Sequence, residues 1–194
     1  HAAAMGAVLS TVSTMVQLGL LVSMLLPGLL AHMVLPIGLG CGAAGLYALW
    51  IFAAHRPAFT PPTLDLKGHA FEHKTTLILS LAVLSVTVMT AALNRWLGEV
   101  GVFIANLLAG LVDAHSSVAS MSSLVNQGQS SLAQAQLAIL LAVSTNTLSK
   151  SAVAIGAGGK AFAVLIMPGL LLVITAVWLG VWASLWTAGP IGSL

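Results

Sequence analysis

The 194 residues are 59% hydrophobic and only 5% charged, with six basic against four acidic side chains. A soluble domain carries about 25% charged residues, so this composition excludes an ordinary water-soluble globule. The net charge of +2 gives no electrostatic case for nucleic acid. One cysteine, Cys41, excludes an internal disulfide and any cysteine-cluster zinc site.

At about 20 apolar residues per span, six helices are expected, near 5–26, 33–54, 75–97, 100–124, 133–153 and 160–184. The expected fold is an all-α polytopic transmembrane helix bundle with a weak internal repeat. Residues 1–54 form a first helix pair, and 55–74 a polar, proline-rich loop holding half of all the charges. Residues 75–194 form a four-helix membrane segment.

Pro27 and Gly28 separate the first two helices, because proline removes a backbone donor and clashes with the preceding turn. Gly98, the stretch VNQGQSS (125–131) and the stretch GAGGK (156–160) mark further turns. Trp178, Trp182 and Trp186 recur at helical spacing near the end of the last span, where an aromatic belt belongs. The repeat rests on Ser13–Gln17 and Asn146–Lys150, each followed by a proline-containing apolar helix (LPIG, MPGL). Duplicated halves recur in transporter folds.

With six spans both chain ends share one face. Positive-inside counting sets Arg56, Lys67 and Lys74 against Arg95, Lys160 and Lys150, a slight lean to cytoplasmic ends in a bacterial inner membrane.

Polar side chains inside a bilayer are costly and usually face other helices or a water-filled cavity. At 100° per residue four spans carry a polar stripe. These are Ser10, Ser13, Thr14 and Gln17; Thr76, Ser80, Thr87, Thr90 and Asn94; Asn106, Asp113, Ser117 and Ser120; and Gln136, Thr147 and Lys150 with Ser144 and Asn146 beside them. Packing alone accounts for most serines and threonines on such faces.

Asp113 differs, because a carboxylate at mid-depth costs at least ~2.5 kcal/mol and so calls for a partner or a role. If the fourth and fifth helices run antiparallel, Ser144, Thr145 and Asn146 lie level with Asp113. Lys150 then lies about one turn nearer the surface, with snorkelling its easier option. His115 projects away from Asp113 on an unbroken helix.

The His69, Glu72, His73 string has the H-x-x-E-H spacing of some zinc sites. Its place in a proline-rich loop without a third ligand reads instead as an interfacial charge cluster. His32 and His55 read as interface residues near span ends. No nucleophile–base pair, phosphate loop or cofactor motif is evident, so neither an enzyme nor a bound cofactor or metal is expected.

The stretches LLAGLVDAHSSVASMSSL (107–124) and LAILLAVSTNTLSKSAVA (137–154) resemble the multi-spanning domain of unknown function 4010, which occurs with MgtC/SapB-type membrane proteins. Gly110, Asp113, Asn146, Thr147 and Lys150 match its pattern one by one, and His115 stands where a second acid is frequent. The Ser-Ser-Thr helix that the family places before the first pair is missing, so the expectation is an incomplete or diverged member. The resemblance implies a polytopic membrane protein without a settled activity.

The residues and the resemblance together point to a transporter- or channel-like protein for an inorganic cation or small polar solute. Its pathway would run near Asp113, Asn146, Lys150, Thr147, Ser117 and Asn106. The alternative is a non-catalytic accessory subunit of a larger membrane complex. Expected partners are the lipid bilayer and either further copies of the chain or other membrane subunits.

Overall fold

In hydrocarbon each backbone polar group must be satisfied without water, and a helix does so within its own segment. The computed structural model, which describes residues 2–55 and 73–187, is helical in every described element. Helix α1 (Ala2–Leu25) stops at Leu26, which precedes Pro27 and is held out of the helical region. A single 3-10 turn, Pro27–Leu29, leads into α2 (Leu30–His55).

Helix α3 (His73–Leu97) passes through Gly98, at a φ of 60°, into α4 (Glu99–Val112). After α5 (Ala114–Asn126) a turn through Gly128 reaches α6 (Leu132–Thr187). A reciprocal cap starts α6: Gln134 N donates to Ser131 Oγ (3.2 Å), and Ser131 N to Gln134 Oε1 (2.9 Å).

Helix α6 is two spans in one element. Gly159, at φ 73° and ψ 168°, occupies a region open essentially to glycine alone and divides α6 into arms 132–158 and 160–187. The arms fold back on each other, since Trp178 Nε1 donates to Ser144 Oγ at 3.1 Å. Among the described residues four stretches are long and apolar enough to cross a membrane: Gly6–Leu25, Pro27–Ala54, Leu132–Gly156 and Phe162–Thr187.

Helix α2 lies along the second arm of α6. Gly180 meets the backbone of Pro36, Gly169 meets the Tyr47 ring, and Tyr47 Oη donates to Leu165 O (2.9 Å) three residues before Pro168. Met15, Leu18, Met33, Met121 and Ile139 fill the centre of the bundle. Leu46, Val164 and many other large apolar side chains point outward, as a lipid-facing surface requires.

The expected fourth span, 100–124, is not one continuous helix. It breaks at Asp113, whose φ of −159° and ψ of 130° are extended, and α5 returns along α4. Asn106 on α4 meets both Ser117 and Met121 on α5, whereas a straight helix would separate these pairs by about 16 and 22 Å. At the open end Gln134 of α6 donates to Glu99 of α4, and at the tip Ser149 Oγ donates to Leu111 O (3.0 Å). With 14 and 13 residues, the two helices are each about 20 Å long against a ~30 Å hydrocarbon core. They form a helical hairpin, neither arm of which spans that core alone, and among the described residues four stretches rather than six are long and apolar enough to cross.

This hairpin changes the face on which the helix ends lie. The end of α1, the start of α2, the base of the hairpin and the start of α6 gather on one face, as Gln136 Nε2 bonding to His32 O (3.0 Å) shows. The end of α6 lies on that face too, because Gly180 packs on Pro36 near the start of α2. The start of α1 lies at the opposite face, where Ala7 and Phe162 pack on the same Ala154, Ile166 and Leu170 cluster.

The hairpin is set tightly against α6. A Cβ on Gly110 would overlap Thr145 Oγ1 and the Ala142 backbone. Gly110→Ala should therefore cost about 1–3 kcal/mol through overpacking, read as a lower unfolding temperature in detergent. Gly45→Ala, with open space at its Cβ, should leave that temperature unchanged or slightly raised.

Candidate functional site at the hairpin tip

The break at Asp113 strands the first N–H groups of α5 and the last carbonyls of α4 inside the membrane. Asp113 is both the last cap of α4 and the first cap of α5. Its N–H donates to Ala109 O (2.8 Å), and its Oδ2 accepts from Ser116 N (3.0 Å). Ser116 Oγ in turn donates to Asp113 O at 2.8 Å. Negative charge at a helix N-terminus is also favoured by the helix dipole.

His115 Nδ1 lies 2.6 Å from Asp113 Oδ1 and donates to it in the tautomer protonated there. The sequence expectation that His115 projects away holds only for an unbroken helix, and the cap turns the ring back onto the carboxylate. The mid-depth acid has thus acquired two partners from its own chain segment.

Level with the tip, α4 and the first arm of α6 run parallel. Gly110 sits beside Ala142 and Thr145, and Leu111 beside Ser149. The tip is consequently level with Ser149 and Lys150, one turn beyond the 144–146 stretch expected from antiparallel helices. Lys150 does not snorkel outward. Its Nζ donates to Thr14 Oγ1 of α1 at 3.1 Å, and Thr14 Oγ1 donates to Ser10 O at 3.0 Å. Among the described residues Asp113 and Lys150 form no ion pair within 4 Å; the pair that forms is Asp113–His115.

Beside the tip is a cavity of about 520 Å³. One wall is polar and is made by Ser10 of α1 with Asn146, Ser149 and Lys150 of α6. The rest of the lining is apolar, from Phe162, Ile166 and Leu170 of the second α6 arm and from Leu111 and Val112 of the hairpin.

Of the six residues singled out from sequence, Asn146 and Lys150 line this cavity. Asp113 organises the tip without lining it. Asn106 and Ser117 bond each other between the hairpin arms, and Asn106 Nδ2 also donates to Val102 O (2.8 Å). Thr147 is buried and donates to Val143 O of its own helix (2.9 Å).

Sequence reasoning assigned no special role to Ser149 or Phe162, because neither falls on a polar stripe. Trp178, expected in the belt, turns inward to Ser144, whereas Trp182 and Trp186 are exposed. His69 and Glu72 lie outside the described residues, and of His73 only its place at the start of α3 is described. Among the described residues no group of three His, Cys, Asp or Glu side chains could hold a metal ion.

Apolar helices of spanning length around a helical hairpin, with a part-polar cavity at the hairpin tip, define an integral membrane protein. The chain belongs to the DUF4010 family, a domain of unknown function, whose match covers residues 1–158. The match takes in α1 and α2 as well as the hairpin and ends beside the Gly159 break. No curated protein and no solved structure matches the chain.

If the first task of Asp113 is to cap α5, the shape of its side chain matters more than its charge. Asp113→Ala should cost about 1–2 kcal/mol, whereas Asp113→Asn, whose amide oxygen still accepts from Ser116 N, should retain most of that stability. Thermal unfolding of both variants measures this, and equal losses would place the role in the charge instead.

Proposed function

We propose that this chain is a non-enzymatic, transporter-like membrane protein that passes a small polar solute or ion through the cavity at the hairpin tip. The observation that carries this reading is the interrupted hairpin itself. Irregular backbone at membrane depth is tolerated where it is buried in protein or lines a cavity, and discontinuous helices of this kind form the binding sites of many transporters.

The repeat seen in the sequence supports the same reading. The register that aligns Ser13–Gln17 with Asn146–Lys150 also aligns Pro36 with Gly169 and Tyr47 with Gly180. Under that alignment the Gly180–Pro36 contact corresponds to the Tyr47–Gly169 contact. The α1–α2 pair and the two arms of α6 run in opposite senses, as the halves of an inverted repeat would. Thr14 and Lys150, from its two halves, meet beside the cavity.

A second reading, an accessory subunit of a membrane assembly, is favoured by one face of α1. Ser13 and Gln17 are exposed there, and Gln17 Nε2 reaches Ser13 Oγ at 3.4 Å. Polar groups turned toward lipid call for a protein neighbour.

Val153 lines the cavity yet is 64% exposed, so Val153→Trp can fill the space without overpacking the core. Stopped-flow light scattering of proteoliposomes should show permeation above empty liposomes for at least one of potassium chloride, magnesium chloride, sodium lactate or glycerol. Val153→Trp should remove it at unchanged unfolding temperature. Absence of permeation for the whole panel, or flux untouched by Val153→Trp, would contradict transport through this cavity.

A further inference from the structure

We propose that the cavity at the hairpin tip binds a small organic carboxylate with an apolar body, its charged end held by Lys150 and Asn146. This rests on the reading of the cavity as the protein's working site and names the chemistry of its ligand.

The sign of the charge comes first. Lys150 is the charged group on the cavity wall. Asp113, the acid near it, is not on that wall, and both of its oxygens are engaged, Oδ1 by His115 and Oδ2 by Ser116 N. A bare cation entering here would meet an ammonium and no free carboxylate. Metal cations of the hard type need several oxygen ligands, usually including carboxylates, and the polar wall offers two hydroxyls and one amide oxygen.

The donors for an anion are present and available. An ammonium carries three N–H groups, and Lys150 uses one of them on Thr14. The Asn146 side chain is on the same wall, one turn before Lys150 on α6, and makes no hydrogen bond among the described residues. Ser149 spends its proton on Leu111 O, which fixes the hairpin tip at the edge of the same wall.

Shape sets the rest of the ligand. Phe162, Ile166 and Leu170 share the cavity lining with these polar groups, so a bare inorganic anion would leave apolar surface uncovered. A volume of about 520 Å³ lies within the usual range of small-molecule pockets, roughly 300–1,000 Å³. A branched carboxylate of a few carbons matches both parts of the lining at once, with its head on Lys150 and its methyl groups against Phe162 and Ile166.

Titration calorimetry on the purified chain in detergent tests this with three nearly isosteric probes: 3-methylbutanoate, 3-methylbutanamide and 3-methylbutylammonium. The carboxylate should bind and the ammonium should not, with the amide weaker than the carboxylate by about tenfold or more. Lys150→Gln should weaken carboxylate binding at least about tenfold, and Asn146→Leu should weaken it at unchanged unfolding temperature. Lys150→Arg should retain it.

Preference for the ammonium, no binding of the carboxylate, or carboxylate binding indifferent to both Lys150→Gln and Asn146→Leu would overturn the proposal. Carboxylate binding without flux in proteoliposomes would remove the transport reading and leave this one. Flux of another panel solute without carboxylate binding would do the reverse.

Discussion

The structure depends on one constraint: a helix interrupted inside a membrane must have its stranded backbone groups satisfied by neighbours. Water is not there to do it, and each unsatisfied group costs several kcal/mol in hydrocarbon. Asp113 caps α5 through Ser116 N, Ser149 takes the carbonyl of Leu111, and Gly110 brings α4 against Ala142 and Thr145. The last two of these require the first arm of α6 to run parallel to α4 at close range. That register sets Ser149 and Lys150 beside the tip and opens the cavity between the hairpin, α1 and the second arm of α6. The cap and the cavity are consequences of the same break.

The apolar character, the helical class and most turns were legible because they depend on local composition. Pro27, Gly98, Gly128 and Gly159 each end or break an element where the chemistry of that residue demands it. The hairpin was not legible, because a hydropathy window counts the apolar residues of α4 and α5 as one continuous span. The local signal was present all the same. Aspartate is among the preferred N-cap residues, and the mid-span position of Asp113 gave it the look of a buried charge.

The polar stripes show where sequence reasoning loses force. At 100° per residue Asn106, Asp113, Ser117 and Ser120 share an arc only if the helix is straight. In the hairpin Asn106 and Ser117 face each other across two helices instead. Thr87, Thr90, Thr147 and Ser151 donate to carbonyls of their own helices four residues back, so they are satisfied without lining any path. A polar residue in a span marks a site only when its own helix leaves it unpaired. Lys150 meets that condition in part and Asn146 meets it fully, and those two reach the cavity.

The central claim is that residues 99–126 enter and leave the membrane from one face, and cysteine labelling tests it most directly. In a Cys41→Ser background, single cysteines replace Trp96, before the hairpin, and Gln127, after it; both positions are exposed. A membrane-impermeant maleimide applied to oriented vesicles should label both positions from the same side. Labelling of Trp96→Cys and Gln127→Cys from opposite sides would make the segment a crossing helix and contradict the account.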